Sequence, residues 1–88
     1  MLLKDALSLC FHLRRGYILI RDFDNARILS ATDVKKDGNY LVVEETTIPL
    51  HRIIAVFIDD EIKYLKSGYK EEEIIKIIYK NMYKEKEK

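Results

Sequence analysis

Tryptophan and glutamine are absent from this chain of 88 residues, and cysteine and proline occur once each. A single cysteine cannot form an intramolecular disulfide and cannot build a cysteine-rich zinc site. Cys10 lies in the apolar stretch Leu9-Cys10-Phe11, where a buried thiol stays protonated and is a poor nucleophile. The sequence therefore predicts that Cys10 packs in the core and that the protein works in a reducing, cytoplasmic setting.

Long apolar runs are also absent. No stretch approaches the roughly 18 apolar residues that a transmembrane helix needs. Met1-Leu2-Leu3 is followed at once by Lys4 and Asp5, which does not match the apolar core of a signal peptide. We expect no membrane span and no membrane partner.

Charge of one sign is not in excess, because 16 lysines and arginines face 15 aspartates and glutamates, for a net charge of +1. General nucleic-acid binders carry a clear basic excess, so we do not expect a broad phosphate-tracking surface. Residues 1–36 nevertheless hold seven basic and four acidic side chains. Either these cations are solvated surface charges, or they form a local basic face. The candidates for that face are Arg14, Arg15, Arg21, Arg27, Lys35 and Lys36.

Signatures of catalysis and of cofactor binding are scarce. The three glycines lie far apart, so there is no glycine-rich phosphate loop. The two histidines, His12 and His51, lack the spacing of a metal site, which needs three or four convergent ligands. We therefore expect no cofactor and no metal, and we assign no catalytic residue.

The residues that are present predict a helix, then strands, then a helix. Apolar residues at helical spacing predict a first helix over residues 2–13. Strand-rich runs cover 17–21, 40–44, 51–58 and 61–65, whereas 27–31 fits either a strand or a helical turn. Turn residues occur at 22–25, and Asp37-Gly38 and Asp59-Asp60 are typical of hairpins. Short connections between neighbouring strands favour antiparallel pairing.

The last helix begins after Tyr69 and carries a stripe of apolar side chains at helical spacing. The stripe consists of Ile74, Ile75, Ile78 and Met82. It either packs on the protein's own sheet or forms the contact surface of a homodimer. Residues 84–88 are all charged and predict a frayed tail.

These elements predict the α+β class. We expect a single small antiparallel sheet of four to five strands with an N-terminal and a C-terminal helix. Residues 1–83 would form one domain, and residues 84–88 the tail.

The segment Ile48-Pro49-Leu50-His51-Arg52-Ile53 combines a stiff strand entry with two side chains suited to phosphate. Arginine offers a bidentate fork, and histidine donates hydrogen bonds and titrates near neutral pH. The alternative is structural, with His51 capping a turn and Arg52 pairing with an acidic neighbour.

The motif Pro49-Leu50-His51-Arg52-Ile53, followed by a short hairpin, resembles the MJ1316-type domain family over about residues 3–65. Members of that family are mostly archaeal and are proposed to recognise RNA ends that carry a cyclic phosphate. The resemblance implies an RNA partner bound through His51 and Arg52. The family's Asn-Arg-Ile-x-Trp-Asp-Pro stretch has no counterpart here, because the matching region reads Leu9-Cys10-Phe11-His12-Leu13-Arg14-Arg15.

Our leading hypothesis is therefore a non-catalytic RNA-binding module that recognises an RNA end or phosphate through His51 and Arg52, assisted by Arg21 and Arg27. The first alternative is a protein–protein module that homodimerises through its C-terminal helix. The second is a small ribonuclease or phosphoesterase that uses His51 and His12. The abundance of lysine and glutamate, without glutamine, is typical of proteins from heat-loving organisms.

Overall fold

The structure is a computed structural model that describes residues 1–22 and 25–86, with side chains described for 1–21 and 25–81. Within this part of the chain there are two α-helices, seven strands and two short 3₁₀ turns. The helices are α1 (Leu3–Leu13) and α2 (Glu71–Lys86). The strands are β1 (Tyr17–Asp22), β2 (Asn25–Ser30), β3 (Lys35–Asp37), β4 (Tyr40–Val43), β5 (Thr46–Pro49), β6 (Ile53–Ile58) and β7 (Glu61–Leu65).

The strands form two antiparallel sheets. The larger sheet has the order β2-β1-β6-β7, and the smaller one has the order β3-β4-β5. The α+β class and the helix near each end of the chain are thus confirmed. The strands number seven in two sheets, where the sequence predicted four to five in one, because a turn at Glu44-Glu45 and two short strands create the second sheet.

The larger sheet lies between the two helices. On one face α1 buries Ala6, Leu7 and Cys10 against β1 and β6, and the smaller sheet adds Leu41 and Ile48 to the same cluster.

On the other face α2 packs against apolar residues of β1 and β6. The buried members of this second cluster are Leu19, Ile54, Ala55, Ile74 and Ile78. The β1–β6 register shifts between Leu19, which pairs with Ala55, and Ile20, which pairs with Ile53. This irregularity lets the successive residues Ile54 and Ala55 both face α2.

His51 and Arg52 do not belong to a strand, contrary to the prediction of a continuous strand over 51–58. They lie in the 3₁₀ turn Leu50–Arg52, and β6 begins at Ile53. The reason is topological, since the chain must leave the smaller sheet after Pro49 and enter the larger sheet at Ile53. A tight turn between the two sheets satisfies both pairings.

The ambiguous region near residue 27 forms β2 (Asn25–Ser30) and is followed by the 3₁₀ turn Ala31–Asp33. In the turn predicted at 22–25, Phe23 and Asp24 lie outside the described residues. Asp59 and Asp60 form the β6–β7 turn with φ of 50° and 65°, the backbone that a type I′ hairpin turn requires.

The tail predicted at residues 84–88 is partly helical, and α2 ends at Lys86. Residues 87 and 88 lie outside the described part. Among the described residues, neither helix is both long enough and apolar enough to cross a membrane.

Candidate functional site

Strand pairing brings two arginines from distant parts of the sequence together at one end of the larger sheet. Ile20 of β1 pairs with Ile53 of β6. The next residue on β1 is Arg21, and the residue that precedes Ile53 is Arg52. Because paired strands lie about 4.8 Å apart, the backbones of these two arginines are neighbours.

Arg21 is held in place by Tyr69, in the segment between β7 and α2. Its Nη1 donates a hydrogen bond to the Tyr69 hydroxyl at 3.1 Å. The guanidinium also lies over the tyrosine ring, 6.0 Å from the ring centroid, at the outer limit of a cation–π contact. The arginine therefore has a defined direction although it is exposed.

The 3₁₀ turn that carries His51 and Arg52 is tied to the same segment by Lys66. The Lys66 ammonium donates to the carbonyl oxygen of His51, while the Lys66 amide donates to the Ile54 carbonyl at 2.8 Å. Tyr69 in turn donates its amide to the Lys66 carbonyl at 3.2 Å. This chain of bonds links the turn to the Arg21–Tyr69 pair. We call the group of His51, Arg52, Arg21 and Lys66 the cationic end.

The His51 side chain does not cap its turn. The imidazole is exposed and has no hydrogen-bond partner among the residues that the structure describes. The turn-capping interpretation of His51 is therefore not supported.

A groove of about 500 Å³, which we call the Arg21 groove, extends from the cationic end along one flank of α2. Its polar lining consists of Arg21, Asn25, Arg27, Tyr69, Glu73, Lys80 and Asn81. Arg27 pairs with Ile20 while Arg21 pairs with Ala26, so the two arginines belong to opposite faces of the sheet. They border the same groove because β2 is the edge strand.

The two histidines are not brought together. His12 is on the last turn of α1, which leads into the start of β1, whereas His51 lies beyond Ile53, which pairs with Ile20 near the other end of that strand. The intervening part of β1 spans roughly 10 Å at 3.3 Å per residue. The two histidines therefore lie toward opposite ends of β1. Within the described residues, no group of three or more metal-ligating side chains occurs.

The apolar stripe of α2 is divided between the core and the surface. Ile74 is fully buried and Ile78 is 7% exposed, both against the protein's own sheet, whereas Ile75 is 39% exposed. The side chain of Met82 lies outside the described side chains. Half of the stripe proposed for dimerisation is thus occupied within one chain.

Sequence reasoning found four residues of this region and missed three. His51 and Arg52 came from the motif, and Arg21 and Arg27 from the charge distribution. Lys66, Tyr69 and Lys80 join them only through the pairing of β1 with β6 and the position of α2. The one sequence signal for Lys66 and Tyr69 is that they flank the Ser67-Gly68 break.

Comparison with protein-family models, with curated proteins and with solved structures finds no match to this chain. The resemblance to the MJ1316-type family thus stays a prediction.

Proposed function

We propose that this protein is a non-catalytic RNA-binding module, and that its cationic end binds a terminal phosphate of RNA, including a 2′,3′-cyclic phosphate. The observation that carries the proposal is that cationic residues from distant parts of the sequence lie together at one end of the larger sheet. Arg21 and Arg52 are 31 positions apart in sequence, yet each directly adjoins the paired residues Ile20 and Ile53 at one end of the larger sheet. The turn that holds His51 and Arg52 is bonded to Lys66.

The chemistry of these side chains fits a phosphate. An arginine fork matches two phosphate oxygens, and such charge-assisted hydrogen bonds are about twice as strong as neutral ones. An exposed imidazole supplies one or two more donors. The planar guanidinium of Arg21 and the Tyr69 ring beneath it offer flat surfaces on which an unpaired base stacks. Single-stranded RNA, whose bases are free to stack, is the expected form.

The charge balance supports an end rather than a long tract of RNA. The chain has a net charge of only +1, and Glu73 lines the Arg21 groove beside Arg21 and Lys80. A carboxylate in the groove repels a continuous phosphate backbone. One or two phosphates at the cationic end avoid this repulsion, whereas a strand laid along the groove does not.

The test is fluorescence anisotropy with three short RNAs that end in a 2′,3′-cyclic phosphate, a 3′-phosphate or a 3′-hydroxyl. We expect the phosphorylated ends to bind more tightly. His51→Ala and Arg52→Ala should each weaken that binding roughly tenfold, as expected for losing a charge-assisted bond of about 1.5 kcal/mol. His51→Ala should leave the unfolding free energy within about 0.5 kcal/mol of the original value.

The matched control is Lys36→Ala, which removes an exposed cation from β3, outside the cationic end. Arg52→Lys adds a second comparison, because it keeps the charge and removes the fork. If all three RNAs bind equally, or if Lys36→Ala weakens binding as much as Arg52→Ala does, end recognition is wrong. Cleavage of the RNA that disappears in His51→Ala would replace binding by a ribonuclease activity.

The proposed setting is the reducing cytoplasm, which is supported by a single free and buried cysteine. An origin in a heat-loving, archaeal-like organism stays a prediction from composition and resemblance. A thermal melt of the purified protein tests the expected heat stability.

A further inference from the structure

A second groove, of about 600 Å³, runs along the flank of α2 opposite to the Arg21 groove. We call it the Ile75 groove. Its apolar lining is formed by Phe57, Ile62, Ile75 and Ile78. Ile75 is 39% exposed, and Tyr79 at the same groove is 57% exposed. The groove borders β7, an edge strand whose outer backbone groups have no strand partner in the described sheet.

The rim of this groove is acidic. Asp60, Glu61 and Glu71 line it, and no lysine, arginine or histidine of the described chain does so. Glu61 pairs with Lys63 at 2.7 Å, while Asp60 and Glu71 have no ion-pair partner among the described residues. The groove therefore combines an apolar floor with uncompensated negative charge.

We propose that the Ile75 groove binds a basic peptide segment of a protein partner, with aliphatic side chains on the floor and lysines or arginines against the rim. Charge complementarity selects this occupant. Complementary charges steer association and reject partners of the same sign, so a phosphate-bearing ligand is excluded from this flank.

A second copy of this chain fits less well. Two-fold docking at one interface places the same surface patch against itself. It would therefore set Asp60, Glu61 and Glu71 against the same three carboxylates of the other copy. Like charges placed opposite each other are destabilising. The peptide needs no such juxtaposition, and its binding is independent of the proposed RNA function.

The experiment uses a fluorescein-labelled octapeptide that alternates lysine with leucine, and the same peptide with glutamate in place of lysine. Anisotropy should show binding of the lysine peptide and no binding of the glutamate peptide. Ile75→Ser should weaken binding roughly three- to tenfold through lost apolar contact. Glu71→Gln should weaken it about two- to fivefold through one exposed charge pair.

Two matched controls separate the groove from general attraction. Glu72→Gln removes a neighbouring carboxylate from the same first helical turn, yet Glu72 does not line the groove. Leu2→Ser removes an apolar side chain that is 74% exposed at the N-cap of α1, the helix that packs on the other face of the larger sheet. Both variants should bind the peptide like the original chain. Circular dichroism of each variant checks that the fold is kept.

Three outcomes would overturn the proposal. The first is that the lysine peptide does not bind. The second is that Glu72→Gln lowers the affinity as much as Glu71→Gln does, since the groove would then not be the site. The third is a sedimentation mass that rises with concentration and returns to the monomer value in Ile75→Ser, since the occupant would then be a second copy.

Discussion

Gly16 occupies a position between α1 and β1 that only glycine fits. Its φ is +111°, and a Cβ placed there would lie 2.8 Å from the Phe57 carbonyl oxygen and 3.0 Å from Cys10 Sγ. The first contact is with backbone, which cannot move aside cheaply. Gly16→Ala should therefore destabilise the protein by roughly 2–4 kcal/mol, from strained φ and overpacking together. Urea unfolding measures the loss.

The comparison variant is Gly38→Ala. Gly38 also has positive φ, at +59°, but nothing lies within 4 Å of the added Cβ. We expect a loss of only about 1 kcal/mol, which is the conformational part alone. Equal losses at the two positions would mean that the close approach to Phe57 contributes nothing.

The burial of Cys10 leads us to expect that the stability of the protein depends on pH. Burial raises the pKa of the Cys10 thiol, whose Sγ donates to the Arg15 carbonyl at 3.2 Å. The folded state therefore holds this proton more tightly than the unfolded state. The contribution of this thiol to the free energy of unfolding is fully present below the pKa of a cysteine in the unfolded chain, about 8.5. It is lost as the pH rises from there through the pKa of Cys10 in the folded state.

The measurement is the urea midpoint at intervals between pH 7 and 9.5, below the range in which most lysines and tyrosines titrate. The original chain should lose stability above about pH 8.5. Cys10→Ala should be less stable at every pH because of its cavity, but should show a flatter pH profile. Parallel profiles for the two proteins would contradict the assignment.

At the scale of elements, α2 should stabilise the protein through one side of its apolar stripe. Ile74 is fully buried against Leu19 and Ala55, whereas Ile75 is 39% exposed. Ile74→Ala should cost about 2–5 kcal/mol, and Ile75→Ala at most about 1 kcal/mol. Urea unfolding of both variants at two protein concentrations checks this. Similar losses, growing on dilution, would show instead that α2 is stabilised between two copies.

The elements that sequence predicted are those with a strong periodic signal. The helical spacing of Leu3, Ala6 and Leu7 and the apolar run of β6 each have one natural interpretation. In the smaller sheet, β4 falls within the predicted run 40–44, but β3 and β5 have no such signal. All three residues of β3 are exposed, and β5 has four residues that end in Pro49. Such strands form because adjacent strands pair with them, and a single sequence does not show which segments pair.

The same limit applies to the candidate site. Residue chemistry singled out His51 and Arg52, but sequence placed them on a strand, where neighbouring side chains diverge. The 3₁₀ turn follows from the passage between two sheets. Lys66 and Tyr69 join the site through hydrogen bonds to His51 and Arg21, which depend on how the ends of β1, β6 and β7 meet. Contacts of this kind, between residues far apart in the sequence, leave no local pattern that a single sequence reveals.

At the scale of the molecule, a nearly neutral chain separates its charges by location. The Arg21 groove holds two arginines and a lysine against one carboxylate, that of Glu73, on one flank of α2, and the Ile75 groove holds three carboxylates and no cation on the other. Ligands of opposite charge can therefore bind to the same small domain without competing for one surface. This separation is why a net charge of +1 is compatible with the proposed phosphate site.

The salt dependence of RNA binding should reveal how few phosphates the protein contacts. One or two phosphates at the cationic end give a slope of log K against log salt between about −0.7 and −1.4 for single strands, or roughly a three- to sevenfold loss of affinity between 50 and 200 mM salt. Arg52→Ala should make the slope shallower by about 0.7, the value of one contact. Lys36→Ala should leave it unchanged, because Lys36 lies on β3. The measurement is anisotropy with the phosphorylated RNA across that salt range. A much steeper slope, shared by both variants, would mean that the RNA lies along a broad basic surface and that the cationic end does not select a terminus.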